Sequence, residues 1–255
     1  MTSFSANLGF LWTDRPLPDA IRAAKAAGFV AVELHWPYDT PATDVRAALD
    51  ETGLMVMGLN TRRGNVAAGE NGLSALPGRE TEAREAIDEA ITYAVEIGAP
   101  NVHVMAGNAA GAEASAAIEA ALHYACEQGE LRGPGILIEP LNAHDAPNYF
   151  LRDTVQAEKV IAAVRADNLK LMFDCYHVGR TEGDVIDRLK ALYPIVGHIQ
   201  FAAVPDRGAP DHGEVDYTNV FSAIAALGWD RPLGAEYKPV GSTDLSLGWM
   251  GKLVA

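Results

Sequence analysis

The chain predicts a single (β/α)₈ TIM barrel over residues 1–255. Three observations point there. Short, β-rich apolar runs alternate with Ala-rich segments whose apolar residues recur every three or four positions, as on one face of a helix. Eight such runs fit within 255 residues, and a barrel of this kind typically takes about 250. An open doubly wound sheet would favour a Gly-rich phosphate loop after an early strand, and neither GxGxxG nor GxxxxGK[ST] occurs.

In order, SANLGFLW (5–12) leads to the helical segment LPDAIRAAKAAG (17–28), and AVELHW (31–36) to ATDVRAALDETG (42–53). LMVMGLN (54–60) precedes REAIDEAITYAVEIGA (84–99). The runs NVHVMAG (101–107) and GILIEP (135–140) follow, and DTVQAEKVIAAVRA (153–166) leads on to LKLMFDCY (169–176). IVGHIQFA (195–202), DYTNVFSAIAALG (216–228) and PLGAEYKP (232–239) close the series. Gly28, Gly53, Gly98 and Gly228 stand where helices need a C-terminal cap. The longest irregular stretch, NTRRGNVAAGENGLSALPG at about 60–78, reads as a lid loop. No low-complexity segment or interdomain linker interrupts the pattern.

Bulk properties narrow the function. Apolar residues make up 49% of the chain, enough for a large core. No run approaches the roughly 18 apolar residues of a membrane span. The segment MTSFSANLGFLW lacks the basic and apolar regions of a secretory signal. Two cysteines, Cys126 and Cys175, without a CxxC pair, fit a reducing compartment, so the expected location is the cytoplasm. The net charge of −14 argues against a nucleic-acid partner and requires a local cationic clamp for any anionic substrate. The expected partner is a small molecule. Dimers are common among such barrels, a base rate that leaves a homo-oligomer open.

Active sites of these barrels lie at the C-terminal ends of the strands. The fifth run ends in Glu139 and the sixth carries Asp174. The seventh carries His198 and Gln200, and the eighth Glu236. Carboxylates converging on one axis repel one another and raise their pKa values, a conflict that a divalent cation resolves. An all-oxygen set suits Mg²⁺ or Mn²⁺ better than Zn²⁺. His198 could replace Gln200 as a ligand, but Gln200 shares its face and lies nearer the mouth. Cys175 beside Asp174 points the other way and reads as core. Lys238, two beyond Glu236, shares its inward face and is a weaker clamp candidate. His103 ends the fourth run and faces either cavity or core. Arg62 and Arg63 read as surface charge, and Met55, Met57, Met105 and Met172 as core filling.

Together these blocks resemble the hydroxypyruvate isomerase family, within the xylose-isomerase-like barrels that bind a divalent metal. The resemblance rests on SANLGFLW, WPYD (36–39), GNVAAGENGLSALPGRE (64–80), LIEPLNAHDAPNYFL (137–151), FDCYHVGRTEGD (173–184), GHIQFAAVPDRGAPDHGEVDY (197–217) and GAEYKP (234–239). It implies Glu139, Asp174, Gln200 and Glu236 as metal ligands, with Glu139 and Glu236 as the pair that moves protons. It implies substrate contacts for His177 and Arg207. One departure stands out: the lid often shows an acidic residue and an arginine in a GDWxxGxRG-like stretch, and Asn65 and Asn71 stand at those places here. That bears on the substrate more than on the chemistry.

The expected reaction interconverts hydroxypyruvate and tartronate semialdehyde through a cis-enediolate, with a Lewis-acid cation and two glutamates as acid and base. The alternatives are a 2-oxo-tetronate isomerase or a ketose 3-epimerase with a larger pocket. A metal-dependent nuclease would need histidine ligands and a basic face, which the charge opposes. A non-catalytic sugar-acid binder would have no reason to keep both glutamates.

Overall fold

A computed structural model describes residues 2–253. In chain order its regular elements begin with β1 (Phe4–Asn7), α1 (Leu17–Ala26), β2 (Ala31–Glu33), α2 (Ala42–Thr52), β3 (Met55–Val56) and β4 (Leu59–Asn60). Then come α3 (Glu80–Ile97), β5 (Asn101–His103), α4 (Ala112–Arg132), β6 (Gly135–Ile138), α5 (Thr154–Val164) and β7 (Leu169–Asp174). The rest are α6 (Cys175–Thr181), α7 (Val185–Leu192), β8 (Val196–Phe201), α8 (Tyr217–Ala226), β9 (Leu233–Ala235) and α9 (Met250–Leu253). This alternation of parallel strands and helices is the TIM-barrel arrangement expected from the sequence. Among the described residues no helix is long and apolar enough to cross a membrane.

Two compact units can be distinguished: the residues up to Met57 together with those from Phe173 onward, and Gly58–Met172. In the first, the strand order is β3-β2-β1-β9-β8. Asn7 stands beside Glu33, while Gly234 of β9 lies between Ser5 of β1 and Gln200 of β8. An aromatic cluster holds this unit together. Phe4 and Phe201 sit 5.6 Å apart, and Trp249 packs against them at 4.9 and 5.4 Å, mostly edge to face. Such pairs contribute about 0.5–1.5 kcal/mol beyond the area they bury.

The second unit pairs β4, β5, β6 and β7 in sequence order, all parallel, with Val102 beside Ile136 and Ile136 beside Leu169. Ile87, Ala90, Ile91 and Ala94 of α3 are fully buried, as is Leu122 of α4. The stretch expected to be a lid lies here and is well tied. Its Asn65 caps a 3₁₀ turn at Val66–Ala68, and Glu70 binds both Asn65 N–H (2.6 Å) and Arg79 Nη1 (2.6 Å). Leu73 packs on Ala83 and Ala86.

The expected glycines end their helices. Gly53 (φ 66°) and Gly98 (φ 78°) cap α2 and α3 in the left-handed conformation that disfavours a Cβ. Gly28 and Gly228 take it one residue beyond the caps of α1 and α8. Most of the expected strand runs end earlier than their apolar patterns: 31–36 stops at Glu33, 101–107 at His103, 169–176 at Asp174 and 232–239 at Ala235. Two others differ further. The first is a strand only to Asn7, because the Asn7 carbonyl accepts from Phe10 and Leu11 N–H and its Oδ1 from Gly9 N–H, which turns the chain. The run 54–60 holds two short strands: β3 pairs with β2, and β4 with β5. The eight expected runs thus become nine strands. Among the described residues the structure also adds α4, α6, α7 and α9; the buried face of α4 mixes small residues such as Ala114, Ala121 and Gly129 with Ile118 and Leu122.

Candidate active site

Glu236 directly follows β9 and is 5% exposed. Its Oε1 lies 2.8 Å from His35 Nε2 and accepts from Asn7 Nδ2 at 3.0 Å. Its Oε2 accepts from Arg207 Nη2 at 2.6 Å. Asp174 ends β7. Its Oδ1 caps α6 by accepting from Tyr176 N–H at 2.8 Å, and its Oδ2 lies 3.6 Å from His177 Nε2 and 3.9 Å from Arg207 Nη2. One donor atom from each of Asp174, His177 and Glu236 lies within 4.8 Å of the other two.

Arg207 reaches this cluster from the loop after β8. Its backbone is left-handed (φ 59°), its N–H donates to Ala203 O (2.9 Å), and its carbonyl accepts from Lys238 N–H (2.7 Å). The guanidinium lies over the rings of Phe10 (4.7 Å) and Tyr176 (5.0 Å), which shield it from water. Lys238 itself is exposed, outside the buried cluster.

The two carboxyl groups are driven apart in proton affinity. Burial raises the pKa of Asp174, and the Glu236 charge raises it further. Burial pushes Glu236 upward too, but the Arg207 guanidinium and His35 outweigh it, and its pKa falls below the usual carboxylate range. Neighbouring acids held in opposite protonation tendencies are a recurrent feature of acid/base sites.

Gln200 is buried on β8, with its Nε2 donating to Glu33 at 2.7 Å. Among the described residues, neither Asp174 Oδ2 nor Gln200 Oε1 has a hydrogen-bond partner, although both are buried. Buried oxygens left without donors are costly. Their chemistry, with that of Glu236, fits a hard divalent cation.

In the second unit, Glu139 follows β6 and is 5% exposed. Its Oε2 lies 3.7 Å from Nδ1 of His103, the last residue of β5, and that nitrogen is 3.2 Å from Asn60 Oδ1. His103 therefore faces the strand-end polar groups and is not ordinary core packing. Arg62 bonds Glu89 at 2.6 Å on the surface, as expected. Cys175 is fully buried but begins α6 instead of ending a strand. Burial raises both thiols, Cys126 to about 12, so neither is a ready nucleophile.

Sequence reasoning missed Asn7 and His35. Both sit at or just beyond the ends of β1 and β2, the same position that singled out Glu139. The ring of His35 occupies the space beside Gly9, where a Cβ would come within 2.0 Å of Nδ1.

A sequence model for the xylose isomerase-like TIM barrel matches residues 21–253. The chain belongs to that family. Within the xylose isomerase-like family it is similar to a 2-oxo-tetronate isomerase from Cupriavidus necator, with 42% identity covering 98% of each chain. It is similar as well to the hydroxypyruvate isomerase of Escherichia coli, 34% identical over 98% of each chain. Among solved structures, one from Brucella melitensis described as an AP endonuclease of family 2 superposes with a TM-score of 0.95 at 32% identity, over all of both chains. The protein is an isomerase of the group that holds the hydroxypyruvate and 2-oxo-tetronate isomerases.

Proposed function

We propose that the protein is a divalent-metal-dependent isomerase of short hydroxylated 2-oxo acids, interconverting hydroxypyruvate and tartronate semialdehyde. The observation that carries this reading is the buried grouping of Asp174, His177 and Glu236 with Arg207 beside it. Acid/base oxygens and a guanidinium suited to a substrate carboxylate stand within one small space.

Asp174, Gln200 and Glu236, with Glu139 by family resemblance, would hold the ion, Mg²⁺ or Mn²⁺ by the hardness of the donors. When bound, the cation supplies Lewis-acid polarisation of the substrate carbonyl and balances charge developing on the adjacent oxygens. The proton work falls to the chain. One of Glu139 and Glu236 takes the proton from C3 of hydroxypyruvate, giving a cis-enediol(ate), and the other delivers a proton to C2. The hydroxyl proton moves between the two substrate oxygens, so nothing is gained or lost overall. His177 donates to a substrate oxygen. Arg207 and, at the rim, Lys238 hold the carboxylate.

A second substrate is favoured by a specific observation: the Cupriavidus necator relative at 42% identity is named a 2-oxo-tetronate isomerase. The same residues would serve that longer acid. A cytoplasmic location accords with the two free cysteines. A single catalytic domain accords with a family match that runs through both compact units.

The test is a panel of hydroxypyruvate, 2-oxo-tetronates and ketohexoses, assayed with Mg²⁺ and with Mn²⁺. The expected result is a preference for the 2-oxo acids that collapses in Arg207→Ala. A preference for a neutral ketose, untouched by Arg207→Ala, would overturn the carboxylate clamp.

A further inference from the structure

Glu33 ends β2, is 4% exposed, and stands outside the grouping of Asp174, His177 and Glu236. It is nonetheless closely held. Its Oε1 accepts from the Ser5 hydroxyl and lies 3.1 Å from His198 Nε2. Its Oε2 accepts from Gln200 Nε2 at 2.7 Å. Donors from β1 and β8 thus converge on one buried carboxylate. Between those two strands, β9 gives it space. Gly234 lies in register with both Ser5 and Gln200, and a Cβ there would stand 2.4 Å from Glu33 Oε1 and 2.7 Å from Gln200 Cγ.

An amide has a donor end and an acceptor end. With Nε2 of Gln200 bonded to Glu33, Oε1 has to face elsewhere, and it is the buried oxygen without a hydrogen-bond partner. Turning the amide over would set oxygen against carboxylate oxygen and aim two N–H groups where an oxygen ligand is needed. A free glutamine could adopt either orientation; this one is fixed by its partner.

We propose that Glu33 is a positioning residue that orients the Gln200 amide, so that Oε1 and not Nε2 is offered to the divalent cation. The inference rests on Gln200 being a ligand, as read above. Glu33 does not touch the ion and acts through the amide.

The test is Mn²⁺ affinity by titration calorimetry on the full-length protein. It compares wild type, Glu33→Met, Gln200→Leu and the double variant. Glu33→Met keeps volume and removes both acceptor oxygens. The expected result is a 10–100-fold loss in Glu33→Met, the usual cost of removing a partner that orients a ligand. Gln200→Leu also weakens binding, and the double variant is no weaker than Gln200→Leu alone.

Wild-type affinity in Gln200→Leu would refute the ligand reading and the proposal with it. A weakened Gln200→Leu beside an unaffected Glu33→Met would refute the positioning role alone. A Glu33→Met loss that persists in full in the Gln200→Leu background would mean that Glu33 acts by charge and not through the amide, and would overturn the proposal. Gly234→Ala keeps the carboxylate but crowds it. It should reproduce the Glu33→Met loss and carries the test if Glu33→Met does not fold; unchanged affinity in Gly234→Ala would count against the proposal.

Discussion

His35 Nε2 stands 2.8 Å from Glu236 Oε1, and it can do so because residue 9 has no side chain. The pair joins the end of β2 to the end of β9 across 201 residues of sequence. It holds one carboxylate oxygen in place while Arg207 holds the other. Gly9→Ala should push the ring away from Glu236. We expect kcat/KM to fall at least tenfold, with His35→Ala showing a similar loss and the double variant little more. Steady-state kinetics on the three variants check this. Independent, additive losses would separate Gly9 from His35.

Arg207 pairs with Glu236 at 2.6 Å, and both side chains are nearly buried. Breaking a buried ion pair from one side costs about 3–5 kcal/mol. Arg207→Ala should therefore destabilise the metal-free protein by about that amount in urea denaturation. Added Mn²⁺ should recover more stability in the variant than in wild type, because it supplies the missing positive charge.

The two carboxyl groups give opposite pH dependences. Asp174 is raised, so its contribution to the stability of the metal-free fold is present below the ordinary carboxylate pKa of about 4 and fades as pH climbs through the raised value. Glu236 is lowered, so its contribution is present above about 4 and fades as pH drops through the depressed value. Urea midpoints measured against pH in EDTA should show Asp174→Asn flattening the decline on the neutral side. Mn²⁺ affinity should rise with pH over the same window in wild type, as the ion displaces a proton from Asp174, and that rise should be missing in Asp174→Asn.

If Glu139 and Glu236 share the proton transfers, Glu139→Gln and Glu236→Gln should each cost about 10²–10⁴ in kcat, beyond any change in metal affinity. Conversion to tartronate semialdehyde at saturating Mn²⁺ is the readout, and incorporation of solvent deuterium into hydroxypyruvate distinguishes the base at C3, whose variant loses exchange, from the group at C2. Full turnover in either variant would remove that residue from the acid/base pair.

Tyr149 supplies a check on the scaffold around Glu139. Its hydroxyl is fully buried and accepts from Ala106 N–H at 2.8 Å. Tyr149→Phe removes the acceptor and leaves that backbone donor unsatisfied, which costs about 1–3 kcal/mol. Chemical denaturation should show this loss.

The strand ends were readable because each site carboxylate closes an apolar run, an expensive place for a charge with no task. Glu139, Asp174 and Glu236 announce themselves in that way. Asn7, Glu33 and His35 do not: Asn7 and His35 are not carboxylates, and Glu33 lies inside the expected run 31–36, with Leu34 and Trp36 beyond it. Asn7 meets Glu236 only because β1 pairs with β9, a contact 229 residues apart. The inward reach of Arg207 depends on a positive φ at a residue with a side chain, which local propensity disfavours. The division of 54–60 into two strands was hidden by one continuous apolar pattern whose halves pair with different partners.

The guanidinium between Phe10 and Tyr176 also bears on how the molecule is made. Many small metalloproteins remain unfolded until their ion arrives, because the free energy of binding the ion is what folds them. Here a counter-charge for Glu236 is covalently part of the polypeptide. If the site takes up a cation as proposed, the chain could gather this acidic centre before meeting any metal and keep its fold when the ion leaves. Folding and metal loading would then be separate events, the first set by the chain and the second by supply.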